Sequence, residues 1–373
     1  MPTDAARGPD HPEYDALAKH ACAACGAQAE WDPARQVLAC PYCGTVVPAT
    51  LDRRTGEIHE IDLARTLREM PDELRGWQAE KRTVRCRSCQ AVSVFDVARV
   101  GQNCEFCGAP ELVDYEEIRA PLRPQSLLPF AVDESRIRES MRRWYASKWL
   151  APSSFATSAM VDTVHGLYVP YWTFDATVQC DWTADAGHYY YTTESYTDGQ
   201  GRRRTRQVRH VRWTAASGHL EHAFDDQPIP GTRGIDRDLL EVIEPFPTAD
   251  LVPYDTAYLS GFVIEHYQVV LVEAARDARD AMNRQLREMC ARHVPGDTHR
   301  NLQIDPRYSG ETFKHILVPV WLLAYQYRGT TYQLVANGCT GSLAGEYPRS
   351  PWKIGALILL ALLLIAVVGW LSG

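Results

Sequence analysis

The sequence reads as an α+β protein in three parts: small metal-binding modules, a mixed α+β body and one C-terminal transmembrane helix. Three observations predict this. Four C-x-x-C pairs crowd the first third, helical and strand-like apolar periodicities alternate between residues 121 and 349, and an uncharged apolar run closes the chain.

The cysteine pairs come first. Cys22 and Cys25 pair with Cys40 and Cys43; Cys86 and Cys89 pair with Cys104 and Cys107. In both modules 14 residues separate the pairs, so one unit occurs twice. Gly26, Gly44 and Gly108 follow three of the pairs, as a tight knuckle that turns amides towards sulfur requires. Four thiolates arranged tetrahedrally form a closed structural site with no position left for water or substrate. The modules therefore resemble rubredoxin-like zinc ribbons at 20–49 and 81–112, each holding one Zn²⁺. Metal would supply the folding energy that so small a core lacks. Zinc ribbons serve in protein docking, in structure and in nucleic-acid binding. The basic residues around the second module, Lys81, Arg82, Arg85, Arg87 and Arg99, lean mildly towards the last.

Residues 1–19 are polar and acidic, expected to be disordered, and show no secretory h-region. The 50–80 connector is charged, with Ile61, Leu63, Ala64 and Leu67 permitting a short helix before Pro71. Three prolines in PLRPQSLLPF mark the start of the body near residue 121. Asp133 can cap a helix whose apolar face is Ile137, Met141, Trp144, Tyr145 and Trp149, with arginines elsewhere. A strand-like run follows, built around Val169-Pro170-Tyr171-Trp172. The same V-P-x-W pattern returns at Val318-Pro319-Val320-Trp321 after a second helix, expected over Glu265–His293. The body thus carries a weak internal duplication, and each proline is expected at an edge, a strand start or a bulge. Arg328-Gly329 supplies the last hairpin turn.

Between the halves, about residues 181–235, lies a β-rich insertion. Its hairpin places tyrosines on one arm and Arg202, Arg203, Arg204, Arg206, Arg209 and Arg212 on the other. This pattern suits a solvated tip, anionic lipid, a protein partner or single-stranded nucleic acid.

From Ile354 to Leu371 there is no charged residue, Asn, Gln or Pro. As a helix this run spans roughly 27 Å, close to the hydrocarbon thickness of a bilayer. Trp352 and Trp370 flank it, and Arg349 and Lys353 lie on the N-terminal side only, which places that side in the cytoplasm. The transmembrane helix is set at 352–371, and the expected topology is tail-anchored, single-pass in the cell membrane. A reducing cytoplasm would also keep the eight paired cysteines, of eleven in all, reduced and free for metal; Cys180, Cys290 and Cys339 read as small core residues.

Net charge is -8, which argues against a dedicated nucleic-acid binder. P-loop, GxGxxG, GxSxG and HExxH motifs are absent, and His219 and His222 beside Asp225 and Asp226 make only a weak cluster. The expectation is a protein that is not an enzyme.

LYVPYWTFDA, KHILVPVW, VPYDTAYLSGF, NGCTG, the paired cysteine modules and the apolar tail resemble a group of bacterial membrane-anchored zinc-ribbon proteins. Members are often named transcription-factor-IIB-type zinc-ribbon or primosomal protein N-prime (replication factor Y)-like proteins. The helicase activity that the second name suggests needs an ATP-binding loop missing here. The resemblance implies an adaptor at the membrane, with phage-shock-protein-A-like or SPFH proteins as partners in membrane stress. The less favoured reading is a membrane-tethered nucleic-acid-binding protein.

Overall fold

The computed structural model describes residues 20–48, 58, 60–69, 82–86, 92–95, 112–114, 122, 124–152, 164–197, 199–327 and 330–372. The expectations for residues 1–19, for Pro71 and for the turn at Arg328-Gly329 lie outside them.

The N-terminal module pairs β1 (Glu30–Asp32) with β2 (Val37–Ala39). Residues 60–69 of the connector pack onto the body. β3 (Ile61–Asp62) pairs with a body strand and leads straight into α1 (Leu63–Glu69), the short helix that Leu63, Ala64 and Leu67 predict. The backbones of β4 (Arg82–Cys86), β5 (Val92–Phe95) and β6 (Leu112–Asp114) make a separate three-stranded antiparallel sheet with β4 central.

The body begins with β7 (Ser126–Leu127) and α2 (Glu134–Ser147), which Asp133 caps through Arg136 N as expected. β8 (His165–Thr197) and β9 (Arg203–Pro230) form one very long hairpin. After α3 (Arg237–Ile243), β10 (Val252–Pro253) and β11 (Val263–Ile264), α4 (Leu271–His293) returns the chain to β12 (Thr298–Tyr327). β13 (Thr330–Asn337), β14 (Leu343–Gly345) and α5 (Pro351–Ser372) complete it. β8 is central to the long sheet, with β9 on one side and β12 antiparallel on the other. It crosses residue 181 without a break, so the β-rich stretch continues the body's own strands.

The V-P-x-W motifs lie face to face, with Val169 opposite Val318. Their surroundings match. β11 runs parallel to β8 at Leu167–Tyr168, and β7 runs parallel to β12 at Ile316–Leu317. Each proline sits where its strand changes partners, Pro170 between β11 and β9, Pro319 between β7 and β13. There a missing N–H removes no ladder bond. Each proline carbonyl instead accepts from a glycine N–H at 2.8 Å, Gly231 and Gly338 respectively. Trp172 Nε1 donates to Val269 O and Trp321 Nε1 to Val132 O, both at 2.9 Å, just before α4 and α2.

The core explains the strand length. Along β8, Trp172, Phe174, Ala176, Val178, Cys180, Trp182 and Ala184 point to one face, where α4 lays Leu271, Ala274, Ala278, Met282, Leu286 and Cys290 over them. The 23 residues of α4 span roughly 35 Å, close to the reach of β8 from Phe174 to Ala184. Cys180 and Cys290 meet in this layer with sulfurs 3.9 Å apart, so both are core residues as read. Past Gly187 neither α4 nor β12 covers the hairpin. Gly296 (φ +96°) makes the turn there; a Cβ on it would meet the Gly187 carbonyl at 2.7 Å.

Two helix expectations need correction. Trp149 is not on the core face of α2: the helix ends at Ser147 with Lys148 as C-cap, and Trp149 is 62% exposed. The second helix starts at Leu271, not Glu265, because the backbone N–H groups of Glu265, Gln268 and Val269 donate to Tyr168 and Gly231 carbonyls outside any helix. Met289 is only partly buried, and Cys290 takes the core position one residue on.

Candidate metal centre and exposed surfaces

Two knuckles with the same geometry build the metal site. Gly26 N donates to Cys22 O at 2.8 Å and Cys22 N to Ala27 O at 2.7 Å; Gly44 N donates to Cys40 O and Cys40 N to Thr45 O, both at 2.9 Å. Gly26 and Gly44 adopt φ of +73° and +71°, the left-handed conformation that glycine takes without steric cost. The four sulfurs converge within 4.8 Å, with Cys22–Cys43 at 3.6 Å and Cys25–Cys40 at 3.5 Å. Tetrahedral zinc–sulfur bonds of about 2.3 Å place sulfurs roughly 3.8 Å apart, so the cage fits such an ion. Thr45 Oγ1 lies 3.2 Å from Cys43 Sγ. That hydroxyl and the Thr45 amide pull the Cys43 thiol down to about 6, while at Cys25 a lowering hydrogen bond from the Ala27 backbone is outweighed by those to Cys40 and Cys43, which push it up to about 12. Cys22, Cys25, Cys40 and Cys43 therefore can hold one metal ion. Of the second set, Cys86 closes β4, while Cys89, Cys104 and Cys107 lie outside the described residues.

The first module is docked, not free. Trp31 is 3% exposed inside a body core cluster and stacks edge-on against Tyr258. Its Nε1 and Gln36 Nε2 donate to Phe130 O, Trp31 N donates to Ser260 O, and Ser260 Oγ donates to Ala29 O at 2.6 Å. A cleft of about 310 Å³ remains beside this joint, lined by Glu30, Trp31, Glu134, His165 and Trp321 among others.

The weak cluster at residues 219–226 is rearranged. His219 turns to Asp181 at 2.7 Å, while Asp225 and Asp226 approach Asp175. Lys314, buried, occupies the cation position there: its Nζ lies 2.7 Å from Asp226, 3.6 Å from Asp175 and 3.3 Å from Glu60. The sequence offered no signal for this, since the four groups come from distant segments.

At the arm, strand alternation divides the arginines. Arg204, Arg206 and Arg212 share a face with Tyr190 and Tyr196, Arg203 and Arg209 share the other with Tyr189 and Tyr191, and Arg202 sits in the turn. Arg209 lies 4.4 Å over the Tyr189 ring; Arg206 and Arg212 lie 5.7 Å over Tyr196 and Tyr190. Within 188–212, six arginines meet two acids on a chain of net charge -8.

α5 is the one helix among the described residues long and apolar enough to cross a membrane. Leu357 to Val368 are exposed throughout.

The chain is similar to the uncharacterized protein YdjG of Bacillus subtilis (strain 168), with 22% identity over 250 residues covering 67% of this chain and 70% of that protein. No family profile matches it. No solved structure matches it.

Proposed function

We propose that the chain is a non-enzymatic, membrane-anchored adaptor whose body, carrying zinc-held modules, presents a docking arm in the cytoplasm. One observation carries the reading: the uncovered apolar helix α5 and the exposed Arg/Tyr arm lie at opposite ends of the same long strands. β8 runs about 110 Å if fully extended, so the arm can meet partners well away from the anchor. The four-thiolate cage favours Zn²⁺ as the ion, and in its closed geometry the metal is structural. The matching prolines, glycine N–H donors and tryptophan bonds support a duplicated β-α-β-β unit as the origin of the body. A second ribbon built on β4, β5 and β6 would hold a second Zn²⁺.

Guanidinium groups stacked on tyrosines keep their N–H edges directed at carboxylates or phosphates. An acidic protein surface, such as a phage-shock-protein-A-like or SPFH partner, is the occupant this reading favours. The Arg-over-Tyr pairs also motivate the alternative of single-stranded nucleic acid. The test is crosslinking of the full chain in native membranes, beside a variant with Arg203, Arg204, Arg206 and Arg209 changed to Glu. The expected result is loss of specific crosslinked proteins with unchanged membrane recovery; an identical partner set would remove the arm from the proposal. Salt-sensitive retardation of single-stranded nucleic acid by the detergent-solubilised chain would favour the alternative.

A further inference from the structure

The start of α5 is clasped by the end of α2. Lys353 Nζ donates to Trp149 O at 2.8 Å and to Ala151 O at 2.7 Å, and Ser350 N donates to Leu150 O at 2.8 Å. Lys148 extends its ammonium 4.6 Å from the Trp144 ring and 5.7 Å from Tyr347, and those rings pack edge-on at 5.8 Å. Residues 149–151 thus sit level with the first turn of the apolar helix.

Depth follows from composition. Lys353 is the last charged residue before the uncharged run, so the hydrocarbon boundary falls just beyond it. The headgroup layer is roughly 5–8 Å thick, about one helical turn. Trp149 and Trp352, 62% and 88% exposed, fall in that layer, where indole rings partition. Arg349 is exposed beside them. Arg142 and Arg143, also exposed, lie within two turns of the end of α2, within about one Debye length of the same layer. The acids facing this set are Glu139, 3.9 Å from Arg143, and Glu346. Lys148 and Lys353 are committed to internal contacts, whereas Arg142, Arg143 and Arg349 are exposed, Arg143 also touching Ser140 at 3.4 Å.

We propose that this junction is a lipid-reading collar: Arg142, Arg143 and Arg349, with Trp149 and Trp352, bind anionic phospholipid headgroups of the membrane that α5 spans. The collar rests on α5 being a membrane span. It would make the tilt of the clasped body depend on the charge of the leaflet.

The test uses the full chain reconstituted into nanodiscs of phosphatidylcholine alone, or with phosphatidylglycerol as about a third of the lipid. Hydrogen exchange is followed over Arg142–Ala151. The collar predicts several-fold slower exchange in the anionic discs, reversed by about 0.5 M salt. It also predicts no lipid dependence in an R142E/R143E/R349E variant, with exchange along β8 and β12 unchanged as the control for folding. Equal exchange in both lipids with normal incorporation overturns the collar and leaves the anchor standing. Failure of the wild-type chain to incorporate into either disc overturns the anchor, and the collar with it.

Discussion

Burial holds Glu244 and His266 on opposite sides of their ordinary values. The Glu244 carboxyl is pushed up to about 7 by burial, against a smaller downward pull from the Tyr171 hydroxyl. His266 is lowered to about 4, also by burial. The folded chain therefore binds the Glu244 proton more tightly than the unfolded chain. That stability is full below about 4.5 and is lost as pH rises through 7. His266 runs the other way: its contribution is present above about 6.5 and is lost as pH falls through 4. Glu244→Gln should therefore raise stability at pH 8 by about 1–2 kcal/mol, allowing for partial exposure, and change little at pH 4. Urea unfolding of the detergent-solubilised chain at the two pH values checks this, and equal shifts at both would contradict it.

Lys314 makes a second prediction at this scale. Burial raises Asp175 to about 6 even with the ammonium beside it. Lys314→Met leaves the carboxylates of Asp175 and Asp226 without their buried cation, at a cost of about 3–5 kcal/mol. The loss should be smaller at pH 5, where Asp175 takes up a proton, and the same urea titration reads the difference. Single residues were unevenly legible. Cys22, Cys25, Cys40 and Cys43 announce themselves because a knuckle fixes their spacing locally. Lys314 and its three acids do not, because long-range strand register alone brings them together.

Among elements, helical periodicity placed α2 and most of α4, and the repeated V-P-x-W marked the paired strands. What periodicity could not provide was strand length, since nothing in a local pattern says that a helix of matching span will cover one face. Nor could it show that the small four-cysteine module would be docked. Trp31 has no local reason to be more than a hairpin residue, yet it fills a socket made by Phe130, Tyr258 and Ser260. Trp31→Ala should cost about 3–5 kcal/mol of folding or docking free energy. Limited proteolysis should then cut between residues 44 and 62 faster, with metal still bound by the intact knuckles. Unchanged cleavage would mean that the socket does not hold the module.

For the whole molecule, the docked N-terminal module would couple a bound metal to the body only in a limited way. Serine at Cys40 and Cys43 opens the cage, and the module has too little apolar core to stay folded without its ion. The body keeps its three core clusters, of which only one includes Trp31. Metal analysis should therefore find one ion fewer per chain. Hydrogen exchange should rise sharply over residues 20–48 and moderately at Phe130 and Tyr258, while the α4 layer over β8 stays protected. Global unfolding after loss of one ion would make the ribbon a folding nucleus for the body. Unchanged metal content would remove Cys40 and Cys43 from the ligand set. The intermediate outcome follows from the architecture, because the apolar layer that α4 lays over β8 and Phe313 of β12 includes nothing from residues 20–48. Metal can then be lost at one end of the chain without releasing the strands that carry the arm.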